Sequence, residues 1–210
     1  MDLVFLVLIL RYHFLLMNIP EQKRQPITYA FVDAANIIYR NSEPNPWKID
    51  LKKLIKYLKE RFGASKVFYF GGLDDRNKTQ IRIYKKLESW GYELRLNPVK
   101  RFVNERGEWY LKADVDARMA FEAMHLQNDY DRAVFLTGDG DFFWLLAYLV
   151  QRKGKIWLLA SPKKTAKELK KLFGPDFANL DNLQSLLEYQ QVLKETDSTN
   201  DSVSDVTRPV

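Results

Sequence analysis

Apolar and polar positions fall into alternating blocks along the middle of the chain, and the blocks switch between two periods. Residues 27–32 form a short, apolar, β-rich run, the pattern of a buried strand. Residues 50–62 set Leu51, Leu54, Ile55, Leu58 and Phe62 on one stripe with lysines opposite, and Gly63 follows; this predicts an amphipathic helix and its stop. Residues 66–70 predict a second strand, ended by Gly71-Gly72. A helix over 77–90 closes at Gly91, and a strand over 92–96 follows. Residues 100–111 contain Asn104-Glu105-Arg106-Gly107, a hairpin-like turn between two β-prone runs. The rest reads as helix 116–126, strand 133–136, helix 141–151, strand 155–159 and helix 163–173. Leu183, Leu186, Leu187 and Leu193 lie near helical spacing and predict a final helix over 180–193. Packing on the domain is the preferred reading for it; pairing with a second copy into a homodimer is the alternative.

Strands alternating with helices imply an α/β fold: a three-layer α/β/α sandwich with a mainly parallel central sheet. One domain is expected over 27–194, with an extension over 1–26 and a disordered acidic tail over 195–210. The tail is rich in Ser, Thr, Asp and Asn and lacks aromatics. The apolar run from Leu3 to Leu10 is interrupted by Arg11 and His13 and falls short of the roughly 20 residues of a membrane helix. Asp2 is the only charge before it, so it lacks the basic leader of a signal peptide. It reads as a dispensable or non-native extension, with Met17 as a sensible start; a membrane anchor or an extra packing helix is the alternative. No stable membrane association is expected.

Composition narrows the chemistry. The 210 residues include no cysteine, which removes disulfides, thiol catalysis and thiolate metal sites and suits a reducing, cytoplasmic setting. The only histidines are His13 and His125, which argues against a histidine-built zinc site and against a Ser-His-Asp triad. A metal here would be held by oxygen, pointing to Mg²⁺ or Mn²⁺. The net charge is +6 and the pI about 9.3, compatible with nucleic acid. From Arg152 to Lys171, eight basic residues stand against one acid, Glu168. A run of this kind is usually a solvated helix face; beside an acidic pocket it could grip a polyanion.

Three acidic motifs follow strand-like runs. Asp33-Ala34-Ala35-Asn36 puts an amide one helical turn after a carboxylate. Asp33 reads equally as a helix cap or a ligand. Asn36 could orient a metal-bound water or a phosphate oxygen. Lys112-Ala113-Asp114-Val115-Asp116 opens a helix; Asp114 is a candidate cap, which would free Asp116 for metal. Glu122 reads as either surface or pocket. In Thr137-Gly138-Asp139-Gly140-Asp141-Phe142, Asp141 is a candidate cap, and Asp139 is favoured as a ligand. In an open α/β sheet, ligands bind outside the carboxyl ends of the strands. If these strands are neighbours, Asp33, Asp116, Asp139 and Asp141 converge and need a cation to neutralise them.

The three motifs in this order, followed by Gly154-Lys155-Ile156-Trp157, resemble the NYN domain family, the LabA-like branch of the PIN-like metal-dependent nucleases. The resemblance spans about residues 27–160. It implies a PIN-like fold, bound Mg²⁺ or Mn²⁺, and cleavage of RNA. By position it assigns Asp33, Asp116, Asp139 and Asp141 to the acidic site, with Asn36 beside it. Ala34 stands where the family usually has glycine, and Glu122 where many members have Asp. The expected activity is metal-assisted phosphodiester hydrolysis with RNA as partner. Thr137, Lys112, Arg101 and Arg106 are the expected substrate contacts. Lys100, Arg101, Arg106 and Lys112, interleaved with Phe102, Trp109 and Tyr110, form a candidate RNA-facing edge; a hairpin packing its aromatics into the core is the equal alternative. The competing function is a non-catalytic RNA- or nucleotide-binding regulatory module on the same fold. A phosphatase of the haloacid dehalogenase kind ranks well behind, because the Asp-x-Asp pair follows a late strand.

Overall fold

A computed structural model describes residues 24–38 and 47–190. The expectations for the N-terminal extension and the acidic tail fall almost wholly outside those residues. Six strands form one sheet: β1 (Thr28–Asp33), β2 (Ala64–Leu73), β3 (Tyr92–Pro98), β6 (Arg132–Leu136), β7 (Lys155–Ala160) and β8 (Phe177–Asn179). Their order is β3-β2-β1-β6-β7-β8, and every neighbouring pair is parallel. β4 (Lys100–Val103) and β5 (Trp109–Lys112) make a separate antiparallel hairpin. Chain order therefore reverses between β1 and β6. Such a reversal opens a crevice at the strand ends, because the connections on its two sides leave toward opposite faces.

The helices sort accordingly. On one face lie α1 (Ala34–Ile38), α2 (Leu51–Phe62) and α3 (Lys78–Trp90), packed through Ile37, Leu54, Leu58, Tyr84 and Leu87. On the other lie α4 (Val115–His125), α5 (Phe143–Arg152) and α6 (Lys167–Phe173), packed through Met119, Ala123, Leu146, Leu149 and Leu169. Side chains of a strand alternate between faces. Along β1, Ala30 and Val32 join the first core, and Tyr29 and Phe31 the second. Asp33 continues the second set, on the face of α4.

Phe31 is the hub of that second core. Its ring stacks on Phe135 at 4.8 Å and on Phe68 at 5.4 Å, and meets Tyr130 edge-on at 5.7 Å. Aromatic stacks of this kind add to the burial energy and fix the spacing of β1, β2 and β6. Asp50 caps α2 by accepting from the Lys52 and Lys53 N–H groups, and Gly63 closes it in the left-handed region at φ 66°.

The expected elements are present, with differences at their ends. β2 runs on through Gly71 and Gly72 to Leu73, because β3 keeps pairing with it as far as Pro98. The helix expected at 163 starts at Lys167: the Ser161 carbonyl accepts from the Lys164 and Thr165 N–H groups and holds them in a turn. The helix expected over 180–193 is reduced within the described residues to a 3₁₀ turn, Leu180–Leu183, and a single turn, α7 (Gln184–Leu187). It stops because the Asp50 N–H donates to the Leu187 carbonyl and the Tyr189 N–H donates to the Lys48 carbonyl. Leu180 and Leu187 still bury in the first core, so this segment packs on the domain. Among the described residues, no helix is long and apolar enough to cross a membrane.

Two outcomes test this core. Phe31→Ala should cost about 3–5 kcal/mol in chemical denaturation, the range for emptying a large buried aromatic site. Burial holds the Tyr130 hydroxyl above its ordinary pKa and, with help from Tyr69 and Asp50, holds that of Tyr92 well above it. Both protons are bound more tightly in the folded chain. Their stabilisation is complete below the unfolded value of 10.0 and is lost as pH rises beyond it. In an alkaline titration, part of the tyrosinate absorbance should therefore appear only as the protein unfolds.

Candidate functional site

Asp33 ends β1, and its register neighbour Thr137 leaves β6 on the same side of the sheet. Asp33 is 1 % exposed, so its carboxylate needs donors. It has four. Oδ1 accepts from the Ala35 N–H at 3.0 Å and the Asn36 N–H at 3.4 Å; Oδ2 accepts from Asn36 Nδ2 at 2.7 Å and Thr137 Oγ1 at 3.1 Å. Asp33 thus caps α1. Burial still raises its pKa, and these hydrogen bonds oppose the rise without cancelling it.

Asn36 braces the switch point from both ends of its amide. Nδ2 also donates to Thr137 Oγ1 at 3.2 Å, and Oδ1 accepts from the Gly138 N–H at 2.8 Å. Gly138 makes this a close approach: a Cβ there would stand 3.1 Å from the Lys164 carbonyl and 3.2 Å from Asn36 Oδ1, so its neighbours would have to give by a few tenths of an ångström. Thr137, expected to touch substrate, is fully buried, and its hydroxyl also accepts from the Asp139 N–H at 3.2 Å. Its role is to hold Asp33.

The Thr137–Phe142 turn reverses one expectation. Asp139 is the capping side chain, with Oδ1 accepting from the Asp141 N–H at 3.0 Å. Asp139 is half-buried and Asp141 exposed. Asp114 occupies the cap position of α4 but makes no side-chain cap bond; its carboxylate faces Lys100 Nζ at 4.0 Å. Asp116, in the first turn of α4, is pushed above the ordinary carboxylate range by partial burial first, then by the negative charges of Asp33, Asp139 and Asp141; Lys112 opposes the rise. The four aspartates therefore share one electrostatic neighbourhood, with Lys112 at its border.

Glu122 does not join them. Its Oε1 lies 3.2 Å from Arg95 Nε and 3.7 Å from an Arg118 nitrogen, directed at β3. Arg101 and Arg106 are exposed on the hairpin, as are Phe102 and Trp109 at 40 % and 73 %, so neither of those two rings packs into the core. On the other flank the basic run from Arg152 to Lys171 was the one sequence signal, and a general one. Lys163, Lys164 and Lys167 line a cleft of about 530 Å³ together with Asn36, Gly138, Asp139 and Gly140.

A family model for the NYN domain matches residues 28–181, well over half the chain. The chain belongs to the NYN domain family. It thereby carries the PIN-like nuclease fold that the motif order implied. It is 25 % identical over 162 residues to the low amplitude and bright protein LabA of Synechococcus elongatus, spanning 75 % of this chain and 86 % of that relative. Its fold matches a crystal structure of a Vibrio parahaemolyticus protein of unknown function with a TM-score of 0.61. That match is 21 % identical and covers 77 % of this chain and 97 % of the other.

The Asp116 carboxyl binds its proton more tightly in the folded chain than in the unfolded one. Stability from this group is complete below the ordinary value of 3.8 and is lost as pH rises through the folded value. With chelator present, Asp116→Asn should stabilise the NYN domain at neutral pH by up to about 1 kcal/mol, because water screens an exposed group. At about pH 3 the gain should vanish. Denaturation curves at the two pH values check the sign.

Proposed function

We propose that this NYN domain hydrolyses RNA phosphodiester bonds at the aspartate cluster with Mg²⁺ or Mn²⁺. The observation that carries the reading is the shared field of Asp33, Asp116, Asp139 and Asp141 at the switch point of the sheet. The donor set is oxygen alone, which suits a hard divalent cation. Among the described residues, no three His, Cys, Asp or Glu side chains already stand as a metal-ligand cluster. Asp116, Asp139 and Asp141, with Asp33 behind them, are the residues that would hold the cation. When bound, the cation would lower the pKa of a water and offset charge on the scissile phosphate.

The chain's own groups supply the rest. Asn36 and Thr137 donate to Asp33 and fix its direction. Lys112 tempers the repulsion at Asp116. The hairpin offers exposed Trp109 and Phe102 as stacking surfaces beside Arg101 and Arg106, an arrangement suited to unpaired bases. Lys163, Lys164 and Lys167 carry the positive charge that a polyanion needs on the opposite flank.

The second reading is a non-catalytic RNA- or nucleotide-binding module acting through partners, in a cytoplasmic setting in either case. The missing ready-made ligand cluster favours it.

Purified protein, labelled RNA and Mg²⁺ or Mn²⁺ separate the two. The nuclease reading expects chelator-sensitive cleavage that Asp139→Asn abolishes. Asn36→Ala should cut it about 10–100-fold, the usual loss when a ligand's hydrogen-bond partner is removed. Mn²⁺ should also raise the melting temperature of the parent protein and not of Asp139→Asn. RNA binding without cleavage across many sequences would establish the second reading.

A further inference from the structure

The lysine-lined cleft is a feature of the site that neither the acidic motifs nor the hairpin explains. Its loop is braced before any ligand arrives. The Ser161 carbonyl accepts from the Lys164 N–H at 3.2 Å, the Thr165 N–H at 3.1 Å and Thr165 Oγ1 at 2.6 Å. Lys170 Nζ donates to the Pro162 carbonyl at 3.0 Å. The Ala166 N–H donates to the Gly138 carbonyl at 3.0 Å, tying this loop to the turn that carries Asp139. Lysines fixed on one short rigid loop repel one another, and an anion between them relieves the repulsion. Among the described residues, neither Lys163 nor Lys167 meets a carboxylate within ion-pair distance. The opposing acids are few: Asp139 on the lining, and Glu168, whose Oε1 would stand 2.9 Å from a Cβ on Gly140. At about 530 Å³ the cleft lies within the size range of small-ligand pockets.

We propose that this cleft is a phosphate subsite, in which Lys163 and Lys167 hold one phosphate group of a nucleic-acid chain next to the phosphate presented to the aspartates. This rests on the nucleic-acid reading given above. It adds a direction to it: substrate leaves the acids toward β7, the side away from the hairpin. The group bound is either an internal diester or a terminal phosphomonoester; the lysine chemistry is the same for both.

The test is binding of fluorescent single-stranded RNA to the full chain in chelator, at several salt concentrations. One RNA carries a 5′-phosphate and a matched one a 5′-hydroxyl. The double variant Lys163→Ala/Lys167→Ala should bind about tenfold more weakly, with the slope of log affinity against log salt shallower by about 1. Lys163→Arg/Lys167→Arg should restore both. Lys85→Ala/Lys86→Ala, on α3, supplies the control for loss of net charge. Equal weakening on both RNAs supports the internal diester, and weakening confined to the 5′-phosphorylated RNA supports the terminal group. A cleft variant that matches the α3 control overturns the proposal. Because chelator suppresses hydrolysis, the two readings fail separately. A nuclease with idle lysines would cleave normally and lose no binding, and a binding module with a working cleft would lose binding and never cleave.

Discussion

A carboxylate buried at the end of a central strand, as Asp33 is, stays ionised only if hydrogen-bond donors surround it. Much of the site follows from meeting that requirement. α1 starts immediately after β1, so its first N–H groups reach Asp33 Oδ1. Asn36 is one turn into α1, so its amide reaches back to Oδ2 and across to β6. Thr137 is next in register beyond Leu136, so its hydroxyl completes the set. The parallel pairing of β1 with β6 is what makes this possible, and the stack of Phe31 on Phe135 beneath it fixes the distance. Removing any one of these would weaken the set of donors that offsets the burial of Asp33.

Around that fixed acid the structure tolerates repulsion. Asp116 comes from a different crossover, and the negative charges of Asp33, Asp139 and Asp141 raise its pKa. Folding alone would relax such a cluster, since an exposed aspartate can turn into water. Its retention beside a basic cleft is what separates this edge of the sheet from a surface with scattered acids. Acids in the centre, lysines on the β7 side and a cationic, aromatic hairpin on the other make a charge pattern suited to a polyanion crossing the strand ends.

The sheet and its helices were legible because they rest on local patterns: period-two burial along β1, the leucine stripe of α2, glycine at the helix stops. That Asp33 and the Thr137–Phe142 turn leave neighbouring parallel strands at the same end of the sheet was legible through motif order and the geometry of parallel sheets. What escaped depended on competition for backbone groups. The Ser161 carbonyl delays α6 through a local turn that helical spacing does not reveal, and the strand-like bridge to residues 48–50, far away in the sequence, ends α7. Capping was misassigned for a related reason. Asp139 and Asp141 are equivalent as residue types, and only the tight turn at Gly140 decides which oxygen meets which N–H. The edge strand β8 has three residues, too few to show a period.

Glu122 is an acid of α4 that pairs away from the aspartates. It lies on α4, the helix whose first turn carries Asp116. Its carboxylate reaches Arg95, which itself lies over the Phe68 ring at 4.8 Å, and Arg118, which donates to the Leu96 carbonyl and to Asn97 Oδ1, both at 3.1 Å. Asn97 in turn donates to the Asp114 carbonyl at 2.7 Å. These contacts tie α4 to the end of β3 at both its entry and its second turn. A partly buried ion pair adds little net stability compared with apolar packing, but it fixes a register, since sliding α4 would strand a charge. Asp116 sits between the two anchor points. Its position relative to Asp33 is therefore held in part by an acid that is paired with arginines and stands apart from the aspartates.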